Sequence, residues 1–493
     1  MNPNRQLSKA ATLNSAERKK LAIQTLNPEN TIVSLAKEND VSRKFLHQQK
    51  AKALDAIDDV FNNNEEKENV LFYLPITKKW LEQFVLVLIL VGHCSLRGVM
   101  ESFEALLDRS ISFGTVHNIV GSAVENAKKV NQGINLSKIS VGAQDEIYQA
   151  GKPVLAGVDL DSTFCYLLTS EDHCDEDTWG YHLLELVDKG LKLNHTITDG
   201  GRGLRAGQKA ALGNTPCYAD VFHAERDLTK VASYLKNRAE ECSSTRKLLE
   251  KKMEKKLNKN DKSLSDHLAS AQAEENTAVS LAKDVQTLSN WLKKDILSLA
   301  GPNQKERGDL FDYVIDELRN REHLCPHRMI AVRKKLENQK EDLLAFVGEM
   351  ENKFIEISLR NKVSILYVQK ICELHGLDQK KPLYWQRKGI LIKANSRFRE
   401  IESEVLEAMS KTHRASSLVE NLNSRLRNYF TLRRIVGNDY LELLKFFLNH
   451  RCFLRSDRPD RVGKSPAELL NGEKHSHWLE LLGYQRFESK KAA

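Results

Sequence analysis

The 493-residue sequence lacks the features that mark secreted, disulfide-stabilised and membrane-spanning proteins. Its 8 cysteines are scattered and none forms a CxxC pair, which argues against a disulfide framework or a zinc ribbon and is typical of a reducing cytoplasm. The first twenty residues contain no apolar segment, so we expect no signal peptide. The most apolar run, residues 84–91, is too short to span a bilayer and predicts a buried helix. We therefore expect a cytoplasmic protein without a membrane partner.

The signatures of nucleotide-binding enzymes are also missing. The glycine-rich stretch DGGRGLRAG (199–207) lacks both the Lys-Ser/Thr pair of a phosphate-binding loop and the dinucleotide-binding spacing.

The chain carries an excess of positive charge, with a net charge of +8. Residues 421–493 hold 14 Lys and Arg against 8 Asp and Glu, so most of the excess lies there. Clustered positive charge favours a polyanionic partner, and a solvated surface is the alternative.

The N-terminal part of the chain has the spacing of apolar and polar residues that is typical of helix pairs. Within a first module, 1–70, the segment IVSLAKENDVSRKFLHQQKAKAL predicts a helix-turn-helix, with Ser42 capping the second helix. Its outward side chains suit a DNA major groove, and a plain helical hairpin is the alternative. These outward residues are Arg43, Lys44, His47 and Gln48. A second, weaker helix pair predicts another helical module at 71–135, with Ser112 as the cap, and a polar linker, NNNEEKEN (62–69), separates the two.

The periodicity changes at Lys152. The segment PVLAGVDLDSTFCYLLTSE (153–171) predicts two strands joined by a tight turn, and a helix, a strand, a helix, a short strand and a helix follow. This order predicts an α/β fold with a mixed sheet, whose first part we place at 150–228. Residues 229–410 predict a large all-α insertion. Residues 411–493 return to the sheet with a helix and a basic tail.

Carboxylates occupy positions where such a sheet would hold a ligand. Asp159 ends the first predicted strand, Asp199 ends a later one, and Glu420 lies on a helix much further along the chain. Asp161 shares a strand face with Asp159 and competes with it for the same role. If the carboxylates converge, their oxygens suit Mg²⁺, and two such ions can activate water or a 3′-hydroxyl. Taken singly, each carboxylate is more typical of a solvated or capping residue.

Four pieces of the chain resemble DDE transposases of the ribonuclease-H-like superfamily, of the bacterial insertion-sequence kind: GVDLDSTFCYLL, TITDGGRGL, CYADVFHAERDL and SSLVENLNSRLR. The resemblance covers roughly residues 150–475 and implies a ribonuclease-H-like sheet behind helix-turn-helix modules. It implies that Asp159, Asp199 and Glu420 hold two Mg²⁺ or Mn²⁺ ions. The implied activity is hydrolysis of DNA at the ends of a mobile element, followed by strand transfer with the freed 3′-hydroxyl. Double-stranded DNA, a homodimer or higher oligomer, and a prokaryotic nucleoid are the implied context.

The same resemblance draws attention to further residues. The stretch DVFH, Asp220 to His223, has the form of a motif that follows the second catalytic Asp in several transposase superfamilies. His223 then orients the site or contacts the scissile phosphate; capping of the next helix is the alternative. Arg202, Arg205 and Arg425 are expected near DNA, and for Arg202 and Arg205 an ordinary surface position is the alternative. The aromatic pair Tyr384 and Trp385 is expected to stack on an unpaired base, with a core position as its alternative. The competing function is a non-catalytic DNA-binding regulator derived from a transposase.

Overall fold

The computed structural model describes residues 9–61, 74–255 and 262–486. The chain divides into two compact units, Met1–Thr77 and Lys78–Ala493. The polar linker predicted at 62–69 lies outside the described residues. Within the described ranges, no helix combines the length and the apolar character that crossing a bilayer requires.

The first unit is a small helical cluster. Its helices are α1 Lys9–Thr12, α2 Ser15–Leu26, α3 Ile32–Glu38 and α4 Arg43–Phe61. Leu21, Leu35, Val41 and Leu46 form its core. The hydroxyl of Ser42 accepts a 3.1 Å hydrogen bond from the backbone N–H of Phe45, so Ser42 caps α4 as the sequence predicts. The four outward residues predicted on α4 are all exposed: Arg43, Lys44, His47 and Gln48.

The second unit begins with three helices, α5 Lys78–Leu90, α6 Leu96–Leu107 and α7 Phe113–Gln132. The apolar run predicted as a buried helix lies mostly in α5, where Leu86 and Ile89 are buried. Ser112 caps α7 by accepting a 3.1 Å hydrogen bond from the N–H of Thr115, as predicted. The apolar side chains of these helices pack in the same hydrophobic core as the strands that follow. This segment therefore shares the core of the sheet.

One mixed sheet organises the second unit. Its strands are β1 Val141–Gln149, β2 Lys152–Asp159, β3 Cys165–Ser170, β4 His195–Thr198 and β5 Cys217–Ala219. They lie in the order β3-β2-β1-β4-β5. Strand β2 runs antiparallel to its neighbours β1 and β3, whereas β4 runs parallel to its neighbours β1 and β5. The predicted mixed α/β sheet is therefore confirmed. The sequence did not predict β1, so the strand that it predicted to come first is the second strand, β2.

The remaining secondary-structure elements of the described chain are helices and short helical turns. Between β3 and β5 lie α8 Glu176–Asp188 and α9 Arg202–Leu212. The helices after β5 are α10 Val221–Lys255, α11 Lys262–Trp291, α12 Gln304–Arg321, α13 Pro326–Asn338, α14 Lys340–Asn361, α15 Ile365–Leu374, α16 Pro382–Ala394 and α17 Phe398–Ser410. Short π and 3₁₀ turns occupy Leu292–Ile296 and Glu322–Leu324. The chain then returns to the sheet with α18 Ser417–Phe430, α19 Asn438–His450, a 3₁₀ turn Pro459–Arg461, α20 Pro466–Asn471 and α21 Trp478–Leu481.

The two faces of the sheet carry different helices. Ala143 and Ile147 of β1 belong to the core that contains α5, α6, α7, α18 and α19. Leu155 of β2 belongs to the core that contains α8 and α9. Because successive strand residues point to opposite faces, odd-numbered residues of β1 face α18 and even-numbered ones face α8 and α9.

Candidate active site

Three aspartates follow one another across the parallel strands. The strand register pairs Gln144 of β1 with Thr198 of β4, and Thr198 with Ala219 of β5. The residues that come next in the chain are Asp145, Asp199 and Asp220. Neighbouring strands lie about 4.8 Å apart, so the backbone places these three residues in a row. Asp199 and Asp220 stand where β4 and β5 end, which is the edge of a parallel sheet where ligands bind.

Asp145 faces α18 from the middle of the central strand. Its Oδ2 accepts a 2.7 Å hydrogen bond from the side-chain amide of Asn423, and its Oδ1 accepts one of 2.9 Å from the backbone N–H of Glu146. Burial, followed by the negative charges of Asp199 and Glu420, raises the pKa of Asp145 to about 6. The charges of Asp199 and Glu420 therefore act on Asp145. The sequence argument missed Asp145.

Glu146 adds a further carboxylate on the other face of β1. Burial, and then the negative charges of Asp199 and Asp145, raise its pKa to about 7. A Cβ on Gly201 would lie 3.6 Å from Oε1 of Glu146 and 3.5 Å from Oδ1 of Asp199, so both carboxylates approach the same glycine. A Cβ at this turn would be in ordinary van der Waals contact with both of them.

Helix α18 reaches the row of aspartates with one face. Ser416, Glu420 and Asn423 stand at spacings of four and three residues, which places them on one side of a helix. The hydroxyl of Ser416 donates to the carboxylate of Asp220, while Asn423 donates to Asp145. Between these two contacts, Oε1 of Glu420 lies 3.2 Å from Nε2 of His223.

His223 bridges Asp220 and Glu420. Its Nδ1 lies 3.0 Å from Oδ2 of Asp220, and this contact is the main reason that the pKa of His223 is raised. Burial alone would raise the pKa of Asp220, but the contacts with His223 and Ser416 outweigh it and lower that pKa. Oδ1 of Asp220 accepts a 2.7 Å hydrogen bond from the N–H of Phe222. Asp220 therefore caps α10, and the ring of His223 faces Glu420.

The structure does not bring Asp159 to this group. Asp159 pairs with Gly142, three residues before Asp145 on β1, which is about 10 Å along the strand and on the opposite sheet face. It is buried, and its carboxylate accepts hydrogen bonds from the N–H of Ser162 at 2.8 Å and from the hydroxyl at 2.5 Å. The position beside Asp199, which the sequence predicted for Asp159, is occupied by Asp145.

Asp161, the competing residue, is also away from the site. Its side chain is half exposed, and its Oδ1 lies 2.9 Å from Nε2 of His413. This contact is the main cause that lowers the pKa of Asp161. Asp161 therefore pairs with the segment that leads into α18.

The predicted arginines have different surroundings. Arg202 is exposed at the start of α9. Arg205 donates a 2.9 Å hydrogen bond to Oδ2 of Asp342, so it joins α9 to α14 of the helical insertion. Arg425 is partly buried on α18, and burial is the main cause that lowers its pKa.

The two aromatic residues of α16 separate into one core and one surface residue. Tyr384 is 4% exposed and belongs to a core of the insertion. Trp385 is 61% exposed, and its indole N–H donates a 3.0 Å hydrogen bond to the carbonyl of Gln379. The core alternative thus holds for Tyr384, while Trp385 keeps an exposed ring that a base can approach.

The carboxylates suit a divalent cation by chemistry and charge. Carboxylate oxygens are the ligands that Mg²⁺ and Mn²⁺ prefer. The raised pKa of Asp145 reflects burial first and then repulsion from Asp199 and Glu420, and a cation among these carboxylates would offset both. Across the described ranges, no three His, Cys, Asp or Glu side chains are drawn together as a ready-made metal cage. In this conformation Asn423 engages Asp145 and His223 engages Glu420.

No protein-family model matches the chain, and no curated protein matches it either.

Proposed function

We propose that this chain is a DDE-type DNA transposase that hydrolyses DNA at the ends of a mobile element and joins the freed 3′-hydroxyl to a target. The observation that carries the proposal is geometric. Asp145 and Asp199 follow paired positions on neighbouring parallel strands, and α18 places Asn423 against Asp145 and Glu420 against His223. Three antiparallel strands followed by two parallel ones, with helices on both faces, is the arrangement expected of the ribonuclease-H-like superfamily.

In this proposal Asp145, Asp199 and Glu420 hold Mg²⁺ or Mn²⁺. A bound ion there supplies activation of water or of a 3′-hydroxyl and stabilises the leaving oxygen of the phosphodiester. Asn423 fixes the orientation of the Asp145 carboxylate through its hydrogen bond. His223, held by the buried Asp220, does the same for Glu420.

The electrostatics explain why a cation would bind. With a pKa of about 6, the Asp145 carboxyl is mostly ionised at neutral pH although it is partly buried beside two like charges. Such an arrangement raises the free energy of the metal-free protein. A divalent cation among the carboxylates would lower it by compensating their charges.

The first unit supports the DNA-binding part of the proposal. Helix α4 exposes Arg43, Lys44, His47 and Gln48 at its N-terminal end, which is the end that a recognition helix presents to base edges. Lys and Arg contact phosphates, and Gln is able to pair with adenine in the major groove.

The experiment uses the full-length protein and a labelled duplex that carries the sequences bracketing this gene, with and without Mg²⁺. We expect Mg²⁺-dependent cleavage that leaves a 3′-hydroxyl, and a loss of about 100-fold or more in Asp145→Asn, Asp199→Asn and Glu420→Gln, because each removes a charge that stabilises the reaction by several kcal/mol. Asp159→Asn is the matched control and should cleave in proportion to its folded fraction. Duplex binding without cleavage by the unmodified protein would instead favour the non-catalytic regulator.

A further inference from the structure

A cavity of about 800 Å³ opens beside α18, in addition to the carboxylate site. Val158 and Leu160 at the end of β2 contribute to one wall, and Leu422 and Arg425 of α18 contribute to another. The segment 451–458, which follows α19, closes the remaining side. We call this cavity the arginine groove.

The charge of the arginine groove is almost entirely positive. Among the described residues, the acidic and basic side chains that line it are five arginines, one histidine and one carboxylate: Arg425, Arg451, Arg455, Arg458, Arg461, His413 and Asp457. Burial, together with the like charge of Arg451, lowers the pKa of Arg425. Within the described ranges, no ion pair joins Arg425, Arg451 or Arg455 to a carboxylate. Grouped guanidinium groups without acidic partners are unfavourable unless an anion completes them.

The arginine-bearing segment is held in place by the protein. Arg458 donates a 3.0 Å hydrogen bond to the carbonyl of Ser410, and Arg461 donates one of 2.8 Å to the carbonyl of Asp161. The N–H of Phe453 donates to the carbonyl of Lys464 at 2.8 Å, which closes the base of the loop. The arginines are therefore presented by a preorganised loop.

The arginine groove lies next to the carboxylate site. Val158 stands two residues along β2 from Ala156, the partner of Asp145, so it shares the sheet face of Asp145 and lies about 7 Å further along the strand. Glu420 and Arg425 are five residues apart on α18, which places them on flanks about 140° from each other around the helix. One helix thus separates the carboxylates from the arginines.

We propose that the arginine groove binds the phosphodiester backbone of one nucleic-acid strand that continues away from the Asp145 and Glu420 site. This assignment rests on the proposed function. A cavity of this size matches a small-molecule pocket and cannot admit a duplex, but it accommodates a few nucleotides of a single strand. Arginines along a groove are the usual means of following a single-stranded backbone, and Phe453, which also lines the cavity, offers a ring for stacking.

The test measures binding of a 5′-fluorescein-labelled 20-nucleotide single strand to the full-length protein by anisotropy, from low to moderate salt. Arg451→Gln with Arg455→Gln removes two arginines that form no ion pair. We expect affinity to fall about tenfold or more and the slope of log K against log salt to become shallower by about 1.4, since each lost phosphate contact removes about 0.7. The control is Arg360→Gln with Arg397→Gln, two exposed arginines paired with Glu404 and Glu400, which should bind within about twofold of the unmodified protein.

Equal affinity and equal slope in the groove variant and the control would overturn the proposal. So would displacement of the oligonucleotide by inorganic phosphate at the same phosphate concentration, because the groove would then be a site for free phosphate. If the double variant unfolds at a lower temperature, Arg455→Gln alone replaces it, since Arg455 is exposed, with an expected slope change of about 0.7.

The two proposals fail separately in this assay. Cleavage is measured with Asp145→Asn in the presence of Mg²⁺, and oligonucleotide binding is measured with the arginine variant in its absence. If the unmodified protein does not cleave DNA but the arginine variant still loses affinity, only the proposed function fails. If cleavage depends on Asp145 and the arginine variant binds normally, only the arginine groove fails.

Discussion

Asn423 donates a 2.7 Å hydrogen bond to Oδ2 of Asp145, and this contact joins α18 to the central strand across 278 positions of the chain. Asn423 is itself buried. The orientation of the Asp145 carboxylate therefore depends on a neutral donor.

Replacing that donor should cost stability as well as activity. We expect Asn423→Ala to lower the free energy of unfolding by about 1.5–3 kcal/mol, the usual range for a hydrogen bond to a charged group, and to reduce Mg²⁺-dependent cleavage. Urea denaturation gives the first quantity. Asn428→Ala, an exposed position on the same helix, is the control and should stay within about 0.5 kcal/mol. Equal losses in both variants would contradict a special role for Asn423.

The charge of Asp145 should make the metal-free protein less stable at high pH. Its pKa is about 6 in the folded chain and lower when unfolded, so the folded state binds the proton more tightly. Stability from this group is therefore present at low pH and is lost as pH rises from about 4 to about 6. We expect Asp145→Asn to unfold at a higher temperature than the unmodified protein at pH 7.5 without Mg²⁺. Added Mg²⁺ should raise the melting temperature of the unmodified protein and leave that of the variant unchanged; a metal-induced rise in both would place the ion elsewhere.

His223 should stabilise the protein mainly below neutral pH. Because its contact with Asp220 raises its pKa, the stabilisation is complete below the ordinary histidine pKa and is lost as pH rises through the raised value. We expect His223→Gln to lose more unfolding free energy at pH 6 than at pH 9. His117→Gln, an exposed histidine on α7, should show no such difference. Equal losses for His223→Gln at both pH values would mean that the charged pair with Asp220 does not stabilise the fold.

Close packing of α8 against α9 depends on a glycine. A Cβ on Gly207 would lie 2.7 Å from the carbonyl oxygen of Glu176 and 2.7 Å from the backbone nitrogen of Gly180. Gly207→Ala should therefore lower the free energy of unfolding by about 1–3 kcal/mol, as overpacking usually does. Gly121→Ala on α7, where a Cβ meets nothing within 4 Å, should instead raise it by about 0.5–1 kcal/mol. Thermal unfolding compares the two, and the same sign for both would be inconsistent with this packing.

The exposed basic residues of α4 should contribute to duplex binding. Arg43→Ala with Lys44→Ala is expected to weaken binding to the bracketing sequences and to reduce the salt slope by about 1.8, without a change in melting temperature. Lys19→Ala with Lys20→Ala removes two exposed charges from α2 and serves as the control. Anisotropy titrations at several salt concentrations measure both. If the two double variants behave alike, α4 has no special contact with DNA.

Local patterns predicted much of the fold. The helix pair of the first unit followed from the Ser42 cap and the buried Leu46, and the mixed sheet followed from the change of periodicity. The strand end at Asp199 was recognisable because a β-branched run stops at two glycines. Such signals lie within a few residues of the feature they predict.

The first strand was missed because its centre does not look like a buried strand. Residues 144–146 read Gln-Asp-Glu where apolar side chains are usual. The hairpin that follows turns through Ala150 and Gly151 at φ values of 52° and 84°, although alanine seldom marks a turn of this kind. The sequence therefore predicted Asp159, and not Asp145, beside Asp199. Only the pairing of strands distant in sequence shows which carboxylate stands beside Asp199.

The order of the elements along the chain also has a consequence during synthesis. Asp145 and Asp199 leave the ribosome first, whereas Glu420 follows only after α10 to α17 have been made. A nascent or prematurely terminated chain that ends within those helices would hold the α4 surface and two of the three carboxylates, but no Glu420. Under the proposed function such a product would occupy DNA without cutting it and would compete with complete copies of the protein.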